Sequence, residues 1–173
     1  MMTLLSKYQQ LNRIGLRNLE QIHYQPKQDN PLKTDARGLT PQDRFIVREP
    51  MIQLENPIDP AYFGWIYQEM ELYFKHRCVY VRDCITSGKR LNVRVISTTP
   101  WQHNTFQEPN ELQTFTPDFT VIYAPNFKAK PELDGTRSEG FALTHLTKRL
   151  ILIGGTPCPN EISHAVLGVI NLL

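Results

Sequence analysis

The chain has 173 residues, 40% hydrophobic and 21% charged, which suits one folded domain and excludes global disorder. A formal charge of +2 with no block of Lys or Arg argues against a nucleic-acid partner, because that affinity rests on concentrated phosphate contacts. The three cysteines, Cys78, Cys84 and Cys158, form neither a disulfide framework nor a CxxC zinc pattern, no signal peptide is evident, and no apolar run reaches membrane-span length, so a reduced, cytoplasmic protein off the membrane is expected.

In chain order, residues 3 to 23 read as a helix, with Leu4, Leu5, Tyr8, Leu11 and Ile14 at helical spacing. Residues 24 to 43 are polar and proline-bearing and read as loop. Arg44 to Glu49 alternates apolar and charged side chains, as a half-buried strand does. Asp59 can cap a helix with Pro60 in its first position, running to about Phe74. Cys78 to Cys84 and Asn92 to Ser97 read as strands around a Ser87-Gly88 turn. Residues 100 to 115 are ambiguous and leave room for a short helix, with Trp101 a core candidate. Phe119 to Tyr123, Phe141 to His145 and Leu150 to Ile153 read as strands, the last apolar on both faces and therefore central. Asn160 to Leu173 reads as a helix. Strands outnumber and interleave with helices, so the class is α/β, with α+β as the alternative: one domain with a mixed sheet and flanking helices.

Two features invite a functional reading. The final helix is uncharged in "AVLGVINLL", either because its last turn docks on the sheet or because a protein partner or a second copy covers it. The stretch "LILIGGTPCPNEISH" runs strand, Gly154-Gly155-Thr156, then helix, which is how many anion sites are built. Cys158 there sits between two prolines, just before a helix N-terminus that favours thiolate. With His164 it could form a nucleophile pair, although no third orienting group is marked, and an inert half-buried thiol is the plainer reading.

Residues 117 to 156, "PDFTVIYAPNFKAKPELDGTRSEGFALTHLTKRLILIGGT", closely resemble the N-terminal domain of ATP-dependent phosphoenolpyruvate carboxykinase. "TPQDRFIV", "NPIDPAYFGWIY", "VYVRDC" and "VRVISTTPW" resemble earlier blocks of the same family in the same order. The likeness covers residues 37 to 173, with 1 to 36 left as an N-terminal helix and loop. Family members join such a domain to a C-terminal mononucleotide-binding domain with a Walker-type lysine loop. They interconvert oxaloacetate and ATP with phosphoenolpyruvate, carbon dioxide and ADP, using Mg2+ and Mn2+. No G-x-x-x-x-G-K-[ST] occurs here, and "INLL" falls where the family's first domain closes, so a stand-alone first domain is expected.

The resemblance also assigns site positions. The family's G-R-S-P puts its substrate arginine at Leu39, which offers no guanidinium fork for a dicarboxylate. Arg37 lies two residues away and could replace it only with a loop shift. The family's G-G-T-x-Y-x-G-E-x-K-K falls on Gly154 to His164. Gly154, Gly155, Thr156 and Glu161 are kept. The tyrosine that lies against phosphoenolpyruvate becomes Cys158, and the two lysines, one of which contacts metal and phosphates, become Ser163 and His164. What remains for a ligand is Arg37 and the Gly154-Gly155-Thr156 turn. His164 can ligate a metal, but one histidine is not a site. No catalytic position is intact, and no ATP, Mg2+ or Mn2+ is expected to be held. The expected function is a catalytically incomplete carboxykinase homologue acting in binding or interaction. The alternatives are one part of a split carboxykinase and a small-molecule sensor.

Overall fold

The computed structural model describes residues 4–10, 38–50, 56–100, 106–109 and 115–172. Chain order gives α1 (Leu4–Gln10), a 3-10 turn (Pro41–Asp43), β1 (Arg44–Val47), β2 (Pro57–Ile58), α2 (Pro60–Phe74), β3 (Tyr80–Ile85) and β4 (Asn92–Ser97). There follow β5 (Phe119–Ala124), α3 (Pro131–Asp134), β6 (Phe141–His145), β7 (Leu150–Gly154) and α4 (Asn160–Leu172). The helix expected over 3 to 23 is described only as α1. Its remainder, Arg37, Trp101 and much of the ambiguous 100–115 run lie outside the described residues. Two short elements escaped the sequence reading. β2 has two residues, and α3 has four, ending on Gly135 in the left-handed region at φ 75°.

The seven strands form one mixed sheet in the order β2-β1-β6-β7-β5-β4-β3. β4, β5 and β7 run parallel, β6 and β3 pair antiparallel to their inner neighbours, and β1 and β2 run parallel to β6. The architecture is α/β. Central β5 and β7 are buried at every position, and β7 accordingly reads as an unbroken apolar run from Leu150 to Ile153.

The pleat sends alternate residues of β7 to opposite faces. Leu150 and Leu152 join α1 and α2 in one core, while Ile151 and Ile153 join α4 in the other. Asp59 caps α2 as expected, its carboxylate accepting the Ala61 N–H at 2.9 Å with Pro60 in the first turn. Phe63, Ile66, Met70 and Phe74 then fall on one buried face. On the opposite side Ile162, Val166 and Val169 anchor α4, each burial contributing about 1.5–3 kcal/mol.

α1 is held at both ends by charges. Glu71 of α2 accepts the Leu4 and Leu5 N–H groups at 2.7 and 3.0 Å, the position where a carboxylate best complements a helix dipole. At the other end Arg94 donates to the Tyr8 and Gln9 carbonyls at 3.0 and 3.2 Å. Arg94 is fully buried and forks onto Asp83 at 2.8 and 3.1 Å. Asp83 thus lies inside β3 in a buried ion pair.

Candidate functional site

The carboxyl end of β7, the start of β6 and the loop before β1 meet at one end of the strands. Register brings them together, with Gly154 opposite Phe141 and Arg44 opposite Ala142. The glycines make this close approach possible. Gly155 has φ 67°, and a Cβ there would collide with the Glu139 carbonyl and lie 2.7 Å from the Gly140 Cα. A Cβ on Gly154 would lie 2.7 Å from the Phe127 carbonyl oxygen. The Gly-Gly pair therefore packs backbone on backbone. Thr156 is buried behind it, its carbonyl accepting the Tyr123 hydroxyl at 2.9 Å and its Oγ1 accepting the Cys158 N–H at 3.3 Å. Burial, then the nearby Cys158 and Glu161, raise the Tyr123 hydroxyl above its ordinary value, so it stays a proton donor.

Glu161 organises the loop that carries Leu39. Its Oε1 accepts the Leu39 N–H at 2.8 Å, and Arg44 forks onto both its oxygens at 2.9 and 3.2 Å. Arg44 Nη2 also donates to the Leu39 carbonyl at 2.9 Å, so both backbone groups of Leu39 are held by one ion pair. The Leu39 side chain packs against the α4-side core, with a methyl over Gly140. One residue on, Asp43 accepts the Thr40 hydroxyl at 2.8 Å and the Ser138 hydroxyl at 2.8 Å. Burial alone would raise the Asp43 carboxyl, but these bonds, with the Thr40 amide and Arg137, hold it below its ordinary value. Arg137 donates to Thr40 Oγ1 at 3.1 Å. It is a guanidinium beside this loop that the motif comparison did not single out, because 97 residues separate the two.

The remaining candidates are spread along the start of α4. Its Glu161 and Ile162 N–H groups donate back to the Cys158 and Pro159 carbonyls at 3.2 and 3.1 Å, so these two early amides already have partners. Cys158 and Ser163 are half-buried and His164 is exposed. No hydrogen bond links Cys158 to His164 among the described residues, so the nucleophile pair gains nothing from the geometry. Among the described residues no group of three or more His, Cys, Asp or Glu could hold a metal ion. Nor is any described helix long and apolar enough to cross a membrane.

His164 instead edges an open groove of about 720 Å³ between α4 and β1, together with Arg44, Gln42 and Thr144. Of the Gly154–His164 stretch, where the sequence placed a ligand cleft, only His164 lines this groove.

Comparison with known proteins converges on the likeness in these motifs. The family model described as phosphoenolpyruvate carboxykinase matches residues 7–173. A phosphoenolpyruvate carboxykinase (ATP) of Thermus thermophilus is 38% identical over 160 residues, which is 81% of this chain and 30% of that protein. The corresponding proteins of Flavobacterium johnsoniae and Amoebophilus asiaticus are each 36% identical over 152 residues, 79% of this chain and 28% and 29% of theirs. The chain thus spans less than a third of the length of these relatives. With its fold, its loop-holding ion pair and its Gly-Gly-Thr turn in the order the motifs require, this chain belongs to the phosphoenolpyruvate carboxykinase family.

Proposed function

We propose that this chain is a carboxykinase-type domain that no longer performs the family reaction and acts as a binding or interaction module. One observation supports this most. Asp43 and Arg44 of the "TPQDRFIV" block, Ser138 of the 117–156 block and the kept Glu161 are engaged with one another or with the Leu39 and Thr40 backbone. The positions assigned by resemblance to the substrate arginine, the tyrosine and the two lysines are Leu39, Cys158, Ser163 and His164. Phosphoryl transfer depends on positioning and on fixed positive charge around the transferring group. None of these four side chains carries a permanent positive charge, and Arg44 already commits its Nε and Nη2 to Glu161. On this reading the chain binds neither ATP nor Mn2+ for catalysis and works in the cytoplasm, with a protein as the natural partner class. Leu167 and Leu172, 46% and 50% exposed on α4, are the apolar surface such a partner would meet.

The test is a thermal-shift panel on the purified chain with oxaloacetate, phosphoenolpyruvate, ATP and Mn2+, singly and together. A ligand at one hundred times its dissociation constant adds about 2.7 kcal/mol, a rise of about 5–10 °C for a chain of this size. No shift is expected. A rise of that size with oxaloacetate or phosphoenolpyruvate would overturn the reading and favour a chain that supplies the substrate half of a carboxykinase. Arg137, beside Thr40, would then be the first residue to substitute.

A further inference from the structure

The groove between α4 and β1 lies over a part of the sheet that α4 leaves open. Ile46 and Thr144 are paired neighbours on its floor, and Ala165, Gly168 and Val169 form the helix wall. Its volume of about 720 Å³ falls within the range of about 300–1,000 Å³ usual for small-molecule sites, as does its make-up of apolar walls with few polar groups.

Two of those polar groups sit along the sheet floor, where a ligand can meet both. Thr144 is 8% exposed, and its hydroxyl has no hydrogen bond among the described residues. That hydroxyl borders the groove, where a ligand oxygen could meet it. Arg44 bonds through Nε and Nη2, leaving Nη1 without a partner among the described residues. It is also the more exposed member of its ion pair, 27% against 5% for Glu161, so the groove end near the start of α4 presents the cation. Register places Thr144 two residues along β6 from Ala142, the partner of Arg44, which is about 7 Å down the groove.

We propose that this groove binds a small aromatic or similarly flat carboxylic acid that carries a hydroxyl at the end remote from its carboxylate. The carboxylate meets Arg44 Nη1, the ring lies along Ala165, Gly168 and Val169, and the hydroxyl reaches Thr144. The site does not depend on whether oxaloacetate binds at the Leu39 loop, and the two tests fail independently.

Gly168 supplies the decisive variant. A Cβ there meets nothing within 4 Å, so Gly168→Leu places a side chain in the groove without strain, and removing a mid-helix glycine favours folding. Loss of binding in Gly168→Leu therefore cannot come from unfolding, which its melting temperature checks. The probes are 4-hydroxycinnamate, cinnamate without the hydroxyl, and 4-hydroxycinnamyl alcohol without the carboxylate, titrated calorimetrically into the full chain.

Saturable one-to-one binding of 4-hydroxycinnamate is expected, weakened about tenfold or more by Gly168→Leu. Cinnamate binds about 3- to 10-fold more weakly than 4-hydroxycinnamate, and Thr144→Val removes that difference. The alcohol binds more weakly than either acid. No saturable binding, binding indifferent to Gly168→Leu, a hydroxyl preference that survives Thr144→Val, or an alcohol equal to the acid would each overturn the proposal. So would a dimer seen by light scattering that Gly168→Leu dissociates, which would give the groove to a second copy of the chain.

Discussion

Substituting Gly155 with alanine tests whether the Gly-Gly turn holds the site together through backbone contact. Two costs add. At φ 67° an alanine takes a left-handed conformation that costs about 1–2 kcal/mol. Its Cβ also meets the Glu139 carbonyl and the Gly140 Cα, which are backbone atoms tied into β6, for about 1–3 kcal/mol of overpacking. The sum is about 2–5 kcal/mol, or about 4–20 °C in melting temperature at this size. Two further glycines separate the costs. Gly88 has φ 75° with nothing within 4 Å of an added Cβ, so Gly88→Ala should show the conformational cost alone. Gly168 is helical with the same open surroundings, so Gly168→Ala should gain about 1 kcal/mol. Urea midpoints with an unchanged slope give the three values. If Gly155→Ala lies within about 1 kcal/mol of Gly88→Ala, the 139–140 backbone yields easily, and the contact does not fix the loop.

Arg94→Met should cost about 3–5 kcal/mol, because Asp83 would stay buried without its partner. Adding Asp83→Leu should recover part of that but not all, since the Tyr8 and Gln9 carbonyls would still lack a donor; a chemical-denaturation double-mutant cycle reads the coupling. Acidification should destabilise the chain in steps. Burial holds His145 below its ordinary 6.5 against the opposing charge of Glu49, so the unfolded chain takes up that proton first and stability falls as pH drops from about 6.5. Asp43 and Glu49 are also held low, Glu49 chiefly by its bond from Thr147, so their stabilisation is lost below about pH 4.5; His145→Gln should flatten only the upper step of the melting profile. Burial, helped by the Asp83 charge, pushes the Cys84 thiol up to about 12, so mass spectrometry after iodoacetamide should find Cys84 unmodified in native protein and modified in urea.

How much the sequence disclosed depended on whether the cause was local. β7 could be read as central because a strand covered on both faces is apolar on both. α2 could be read because Asp59 and Pro60 act within one turn. β2 and α3 are too short to show a period. The Gly-Gly-Thr turn and Glu161 stood out as motif, but nothing in their spacing shows that Glu161 holds a loop 122 residues away or pairs with an arginine 117 residues away. Arg94 occupies what looks like the polar side of an alternating strand, yet α1 covers it completely. The groove was invisible for a related reason, since it is the space left between α4 and β1, and no run of residues encodes it.

Keeping a family's frame and keeping its reaction are separable in this fold. Removing Glu161 would take the acceptor from the Leu39 amide and the counter-charge from Arg44, and removing Asp43 would take the carboxylate acceptor from the Thr40 and Ser138 hydroxyls. Each loss costs stability whether or not any substrate is bound. Leu39, Cys158, Ser163 and His164 differ in kind. Their side chains are half-buried or exposed, and no hydrogen bond or ion pair engages any of them among the described residues. Replacement of the exposed His164 ordinarily changes stability by no more than about 0.5 kcal/mol, and at the half-buried positions a side chain of similar size can be exchanged without leaving a buried polar group unpaired. Selection for folding alone would therefore preserve the first group and let the second drift. A frame of Asp43, Arg44, Ser138 and Glu161 is thus no argument for carboxykinase chemistry in this chain, and only ligand binding at the Leu39 loop can supply one.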